Sequence, residues 1–107
     1  MSANTVISTK EEFEEIISQE KVVIADFFAT WCGPCRMLSP IIEQLSEEFS
    51  EKVRVIKIDI DKENELANMY NIQSVPTVII FKDGEIHSSE VGLRSINDYR
   101  NIINSLL

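Results

Sequence analysis

The chain has 107 residues and a mass of 12.2 kDa, with 44% hydrophobic and 26% charged residues. This is ordinary usage for one globular domain and excludes a disordered or fibrous chain. Ten Lys and Arg stand against 18 Asp and Glu, giving a formal net charge of −8 and a pI near 4.6; such a surface repels phosphate backbones, so nucleic acid is not an expected partner.

No apolar run exceeds four residues (22–25 and 78–81 are the longest), so no membrane span is expected. The opening residues Met1-Ser2-Ala3-Asn4-Thr5 carry neither a basic start nor an apolar stretch. A signal peptide is therefore not expected, and the reducing cytoplasm is the expected compartment. Thr5, Val6 and Ile7 can make a short strand. Ser8 and Thr9 each have a Glu three residues on, a capping-box pattern that predicts a helix from about Lys10, with Phe13, Ile16 and Ile17 inward.

Residues 22–29 are apolar on both parities apart from Asp26, as in a central strand covered on both faces. Leu38, Ile41, Ile42, Leu45 and Phe49 then recur at helical spacing and predict a helix over about 35–49. Pro40 lies inside it and should kink it without ending it. Residues 53–60 form the next strand. Asp61 can cap a short helix over 63–70, with Leu66, Met69 and Tyr70 inward. Residues 77–82 and 85–91 flank Asp83-Gly84, a strong hairpin signal. The second of these strands is polar enough to be an exposed edge. A last helix over about 95–106 buries Ile96, Tyr99, Ile103 and Leu106. Long crossovers make the first three strands parallel, and the hairpin makes the last pair antiparallel. With no repeat, no low-complexity segment and no linker, one α/β domain over 1–107 is expected, a mixed sheet with helices on both faces.

The two cysteines, Cys32 and Cys35, carry the chemistry. Random placement would put them three apart only about 2% of the time. A structural disulfide over so short a loop would restrict the unfolded chain very little. A zinc site needs about four ligands, and this pair with the lone His87 supplies three at most, so no metal is expected. A reversible dithiol/disulfide couple remains as the strong reading, ahead of two indifferent buried thiols. The pair falls between a central strand and a helix start, where free N–H groups and the helix dipole favour a thiolate on Cys32. Gly33 lets the turn tighten, and Pro34 stiffens it without removing a needed donor. Cys35, one turn into the helix, should be more enclosed; Cys32 then attacks and Cys35 resolves.

Trp31-Cys32-Gly33-Pro34-Cys35 after Asp26-Phe27, with Ser74-Val75-Pro76-Thr77 and the spacing of Gly84 and Gly92, resembles the thioredoxin family over essentially the whole chain. The resemblance implies a thioredoxin fold, a five-stranded mixed sheet flanked by four helices. It implies a protein-disulfide reductase with no bound cofactor, recharged from NADPH by thioredoxin reductase. Expected partners are that reductase and disulfide-bearing proteins such as peroxiredoxin, ribonucleotide reductase and methionine sulfoxide reductase, met as a monomer.

Asp26 is the one ionisable residue in its apolar strand; burial should raise its pKa and suit it as the base that deprotonates Cys35. Lys57, from its sequence alone, could equally snorkel to water; similar proteins place a lysine there beside the buried acid, to modulate its charge. Base rates make the Val75-Pro76 bond trans, whereas the resemblance implies a cis-proline facing the cysteines. Pro76 would then exclude metal from the thiolates, while the Val75 backbone pairs with an extended substrate. Trp31, Gly33, Pro34, Ile72, Ser74, Val75, Val91, Gly92 and Leu93 form the expected docking surface, with Ile72, Val91 and Leu93 as readily core residues. Two departures stand out. Phe28 occupies a position where many members carry a second Trp, and Arg36 one where Lys is common. His87 has no expected role. A disulfide oxidant or isomerase is disfavoured by the Gly-Pro insert and the missing signal peptide. A non-catalytic docking module would leave both thiols and Asp26 unexplained.

Overall fold

The computed structural model describes residues 4–7 and 9–107. Its elements run β1 (Asn4–Val6), α1 (Lys10–Gln19), β2 (Val22–Phe28), α2 (Gly33–Glu48), β3 (Arg54–Asp59), α3 (Asn64–Met69), β4 (Thr77–Lys82), β5 (Glu85–Val91) and α4 (Ile96–Leu106). Among the described residues the sheet order is β1-β3-β2-β4-β5. β3 runs parallel to both β1 and β2, while β4 is antiparallel to β2 and β5 to β4. The mixed α/β architecture with four helices is the expected one. No helix among the described residues is long and apolar enough to cross a membrane.

β2 is buried along nearly its whole length, and its alternation divides the core in two. Val23, Ala25 and Phe27 face one cluster, where Phe13, Ile16, Ile17 and Leu66 from α1 and α3 pack on Ile58 and Phe81. Val22 and Ile24 face the other, filled by Leu38, Ile42 and Leu45 of α2 and by Tyr99 and Ile103 of α4. Asp26 shares the parity of Val22 and Ile24, and Lys57 that of Val53 and Val55 in the same second cluster. Both therefore stand on the sheet face that α2 covers.

Local signals explain most boundaries. Thr9 caps α1 by accepting from the Glu12 N–H at 3.0 Å; its predicted alternative, Ser8, lies outside the described residues. Ser95 caps α4 by accepting from the Asp98 N–H at 3.2 Å. Asp83 and Gly84 have φ of 52° and 83°, the left-handed pair that a tight hairpin requires. The register of β4 with β5 shifts after Ile80, leaving His87 as the extra residue of a bulge on the exposed edge.

Three expectations are corrected. α2 begins at Gly33 instead of Cys35 because the Cys32 sulfur acts as its cap. Asp61 does not cap α3: the turn is closed by Asp59, whose Oδ1 accepts from the Asp61 N–H at 2.9 Å. Met69 points outward, because a six-residue helix presents one narrow face and Leu66, Ala67 and Tyr70 occupy it.

Candidate active site

The site is built where β2 hands over to α2. Cys32 and Cys35 form a disulfide with Cα atoms 5.3 Å apart. The Cys35 backbone N–H donates to Cys32 Sγ at 3.2 Å, so a donor with no partner inside the helix is aimed at that sulfur. Pro34 occupies the first turn, where its missing N–H costs nothing. The expected difference in enclosure is absent, for Cys32 is 5% exposed and Cys35 6%. The asymmetry is one of surroundings. Cys32 Sγ lies 3.7 Å from the Val75 carbonyl oxygen, on the side of the following loop. Cys35 lines a cleft of about 290 Å³ together with Asp26, Phe28, Arg36, Ser39 and Lys57.

Asp26 is 2% exposed, and its Oδ1 accepts no hydrogen bond among the described residues. Burial pushes its pKa from 3.8 up to about 6, against the opposing pull of Lys57. Lys57 is its register partner on β3. The ammonium nonetheless makes no ion pair with Asp26 among the described residues. It donates to Ser39 Oγ at 3.2 Å and lies 5.4 Å from the Phe28 ring centroid. On the far side, burial and the Asp26 charge hold the Tyr99 phenol well above its ordinary range. Arg36 is tied down at the cleft by donating to the Thr30 carbonyl at 2.9 Å.

The Val75–Pro76 bond is cis, against the base rate and as the family resemblance implied. Pro76 is buried, and its carbonyl accepts from the Gly92 N–H at 2.8 Å, while Thr77 Oγ1 donates to the Ser74 carbonyl at 2.7 Å. The first bond ties the 74–77 turn to the segment after β5, where Gly92 takes φ of 86°, and the second closes the turn itself. Of the expected docking residues, Trp31 is 67% exposed, Val91 55% and Leu93 44%; Pro34 and Ser74 are also exposed. Gly33, Val75 and Gly92 are half-buried. Ile72 differs: it packs against the Phe13 cluster, so its core reading holds.

Two contributors escaped the sequence reading. Asp61 Oδ2 accepts from the Trp31 indole N–H at 2.9 Å and steadies the exposed ring; no local signal marks a contact thirty residues apart. Ser39 holds Lys57, and its position four residues after Cys35 on one helix was a signal that could have found it. Among the described residues no group of three His, Cys, Asp or Glu could hold a metal ion, and His87 stands exposed on β5.

The thioredoxin family model matches residues 4–105. The chain is 39% identical over 102 residues to the thioredoxin of Bacillus subtilis, covering 95% of this chain and 97% of that one. A single-substitution mutant of the thioredoxin from Halobacterium salinarum superposes with a TM-score of 0.90 at 38% identity, covering 96% of this chain and 89% of that one. A chain from work on the thiol resolving mechanism in yeast mitochondrial 1-Cys peroxiredoxin via glutathione/thioredoxin systems gives a TM-score of 0.89 at 29% identity, covering 99% and 100%.

Proposed function

The chain belongs to the thioredoxin family of thiol-disulfide oxidoreductases, with Cys32–Cys35 as its redox-active disulfide, and on that footing we propose that it is a protein-disulfide reductase. In the dithiol form the N–H groups at the start of α2 favour a thiolate on Cys32. That thiolate attacks one sulfur of a substrate disulfide; the Cys32–substrate bond forms, and the second substrate sulfur leaves as a thiolate that water protonates. Cys35 gives its proton to the Asp26 carboxylate and attacks Cys32 Sγ, so the mixed disulfide breaks and the first substrate sulfur leaves. Two electrons have passed to the substrate, and the Cys32–Cys35 disulfide is the product state. Asp26 returns its proton to water through the cleft, and Lys57 moderates its charge.

One observation carries this reading: the disulfide caps a helix on one side and opens on the other to a cleft lined by an acid whose pKa lies at about 6. Such a pKa suits a base working near neutrality. The Val75 backbone takes an extended substrate segment as an added strand, Pro76 keeps metal from the thiolates, and Trp31, Val91, Gly92 and Leu93 supply apolar contact, with Ser74 and the flank of Ile72 at its margin. A flat patch of this kind serves many partners, peroxiredoxin among them, in keeping with the yeast neighbour; ribonucleotide reductase and methionine sulfoxide reductase carry the same class of disulfide. NADPH-dependent thioredoxin reductase restores the dithiol, and the reducing cytoplasm is the compartment that suits this chemistry. The chain works as one domain over 1–107 and as a monomer, leaving the patch open.

Insulin reduction by dithiothreitol, followed by turbidity, tests this. The protein should accelerate precipitation and Cys32→Ser should abolish the effect, while Cys35→Ser should accumulate a mixed disulfide. A parent no faster than dithiothreitol alone would leave only a docking module.

A further inference from the structure

Ser39 stands one helical turn beyond Cys35, and both side chains line the cleft that holds Asp26, Phe28 and Lys57. The Lys57 ammonium rests on the Ser39 hydroxyl at 3.2 Å and on the Phe28 ring face, two groups that each favour a cation. Its register partner Asp26 is left with an oxygen that accepts no hydrogen bond among the described residues. We propose that Ser39 is a positioning residue for the resolving step: its hydroxyl, with the Phe28 ring, holds the Lys57 ammonium off the Asp26 carboxylate. This rests on the reading of Asp26 as the base.

The consequence follows by linkage. While Asp26 is protonated, the ammonium keeps its bond to Ser39. Once Asp26 ionises, the carboxylate draws the ammonium inward and the Ser39 bond has to be given up. The bond therefore favours the neutral acid and keeps Asp26 a stronger base than Lys57 alone would leave it. The charged or titratable groups facing Asp26 are Lys57 from β3, Cys35 and Arg36 from α2, and Tyr99 from α4. Arg36 is tied to the Thr30 carbonyl, Tyr99 stays protonated, and Cys35 is silent in the disulfide. Lys57 is the charge, among the described residues of this cleft, that Ser39 governs.

The test is the carbon-13 titration of the Asp26 carboxyl in the oxidised protein, where neither cysteine titrates. Ser39→Ala should lower the midpoint by about half a unit to one unit, the reach of one hydrogen bond. Alanine is the stronger helix former, so the fold is kept. Ser39→Thr should restore the midpoint, and in a Lys57→Met background Ser39→Ala should leave it where Lys57→Met alone puts it. An unmoved or raised midpoint in Ser39→Ala, or the same fall without Lys57, would overturn the proposal. Failure of the base reading shows separately: Asp26→Asn would release the mixed disulfide at the parent rate, whatever the titration of Ser39→Ala gives.

Discussion

Replacing Asp26 with Asn keeps the shape of the side chain and deletes a charge that burial makes costly. The folded carboxyl titrates at about 6 against an ordinary 3.8, a rise of roughly two units at about 1.36 kcal/mol each, or about 3 kcal/mol. The sign is that of an acid whose folded pKa is raised. Well below pH 3.8 the carboxyl is protonated whether folded or unfolded, and the penalty is absent. Between about pH 4 and pH 6 the unfolded chain ionises first, so the parent loses stability; above that window the full cost stands. The Asn variant has no such cost. Urea titrations of both oxidised proteins from pH 4 to pH 8 should show the variant's advantage widening by about 2.5 kcal/mol, a relative midpoint shift of about 1–2.5 M urea. A gap that stays flat with pH, or widens towards acid, would refute the burial argument.

Phe13→Ala should cost about 3–5 kcal/mol in the same assay, since the ring is fully buried and lies 5.4 Å from Tyr70 and 5.9 Å from Phe81 by centroid; a cost below about 1 kcal/mol would mean the cluster closes over the gap. Gly92→Ala should cost about 1 kcal/mol by thermal melting, because φ is 86° while, among the described residues and apart from its chain neighbours, no atom lies within 4 Å of the added carbon. A neutral result would show that the loop relaxes. Leu93→Asp should raise KM for a protein disulfide about 5-fold, the equivalent of ~1 kcal/mol of docking, and do less to a small aromatic disulfide. Equal losses on both would remove Leu93 from the docking face.

Much was legible in the chain because its causes are local. The two-faced apolar run of 22–29, the Thr9 cap and the Asp83-Gly84 turn each depend on neighbours a few residues away. The Cys32–Cys35 spacing likewise puts two sulfurs at a helix start wherever that helix packs. Asp61 shows where such reasoning ends. A cap and a partner for Trp31 draw on the same carboxylate chemistry, and only the approach of a segment thirty residues earlier decides between them.

The sequence by itself determined the redox pair, the order of elements and the presence of a single acid in the central strand. Tertiary structure alone decided how hard Asp26 is to ionise, where the Lys57 ammonium rests, that both sulfurs are equally covered, and that Met69 turns outward. Desolvation and the choice among rival hydrogen-bond partners depend on what distant segments bring to a site, and no local pattern records that.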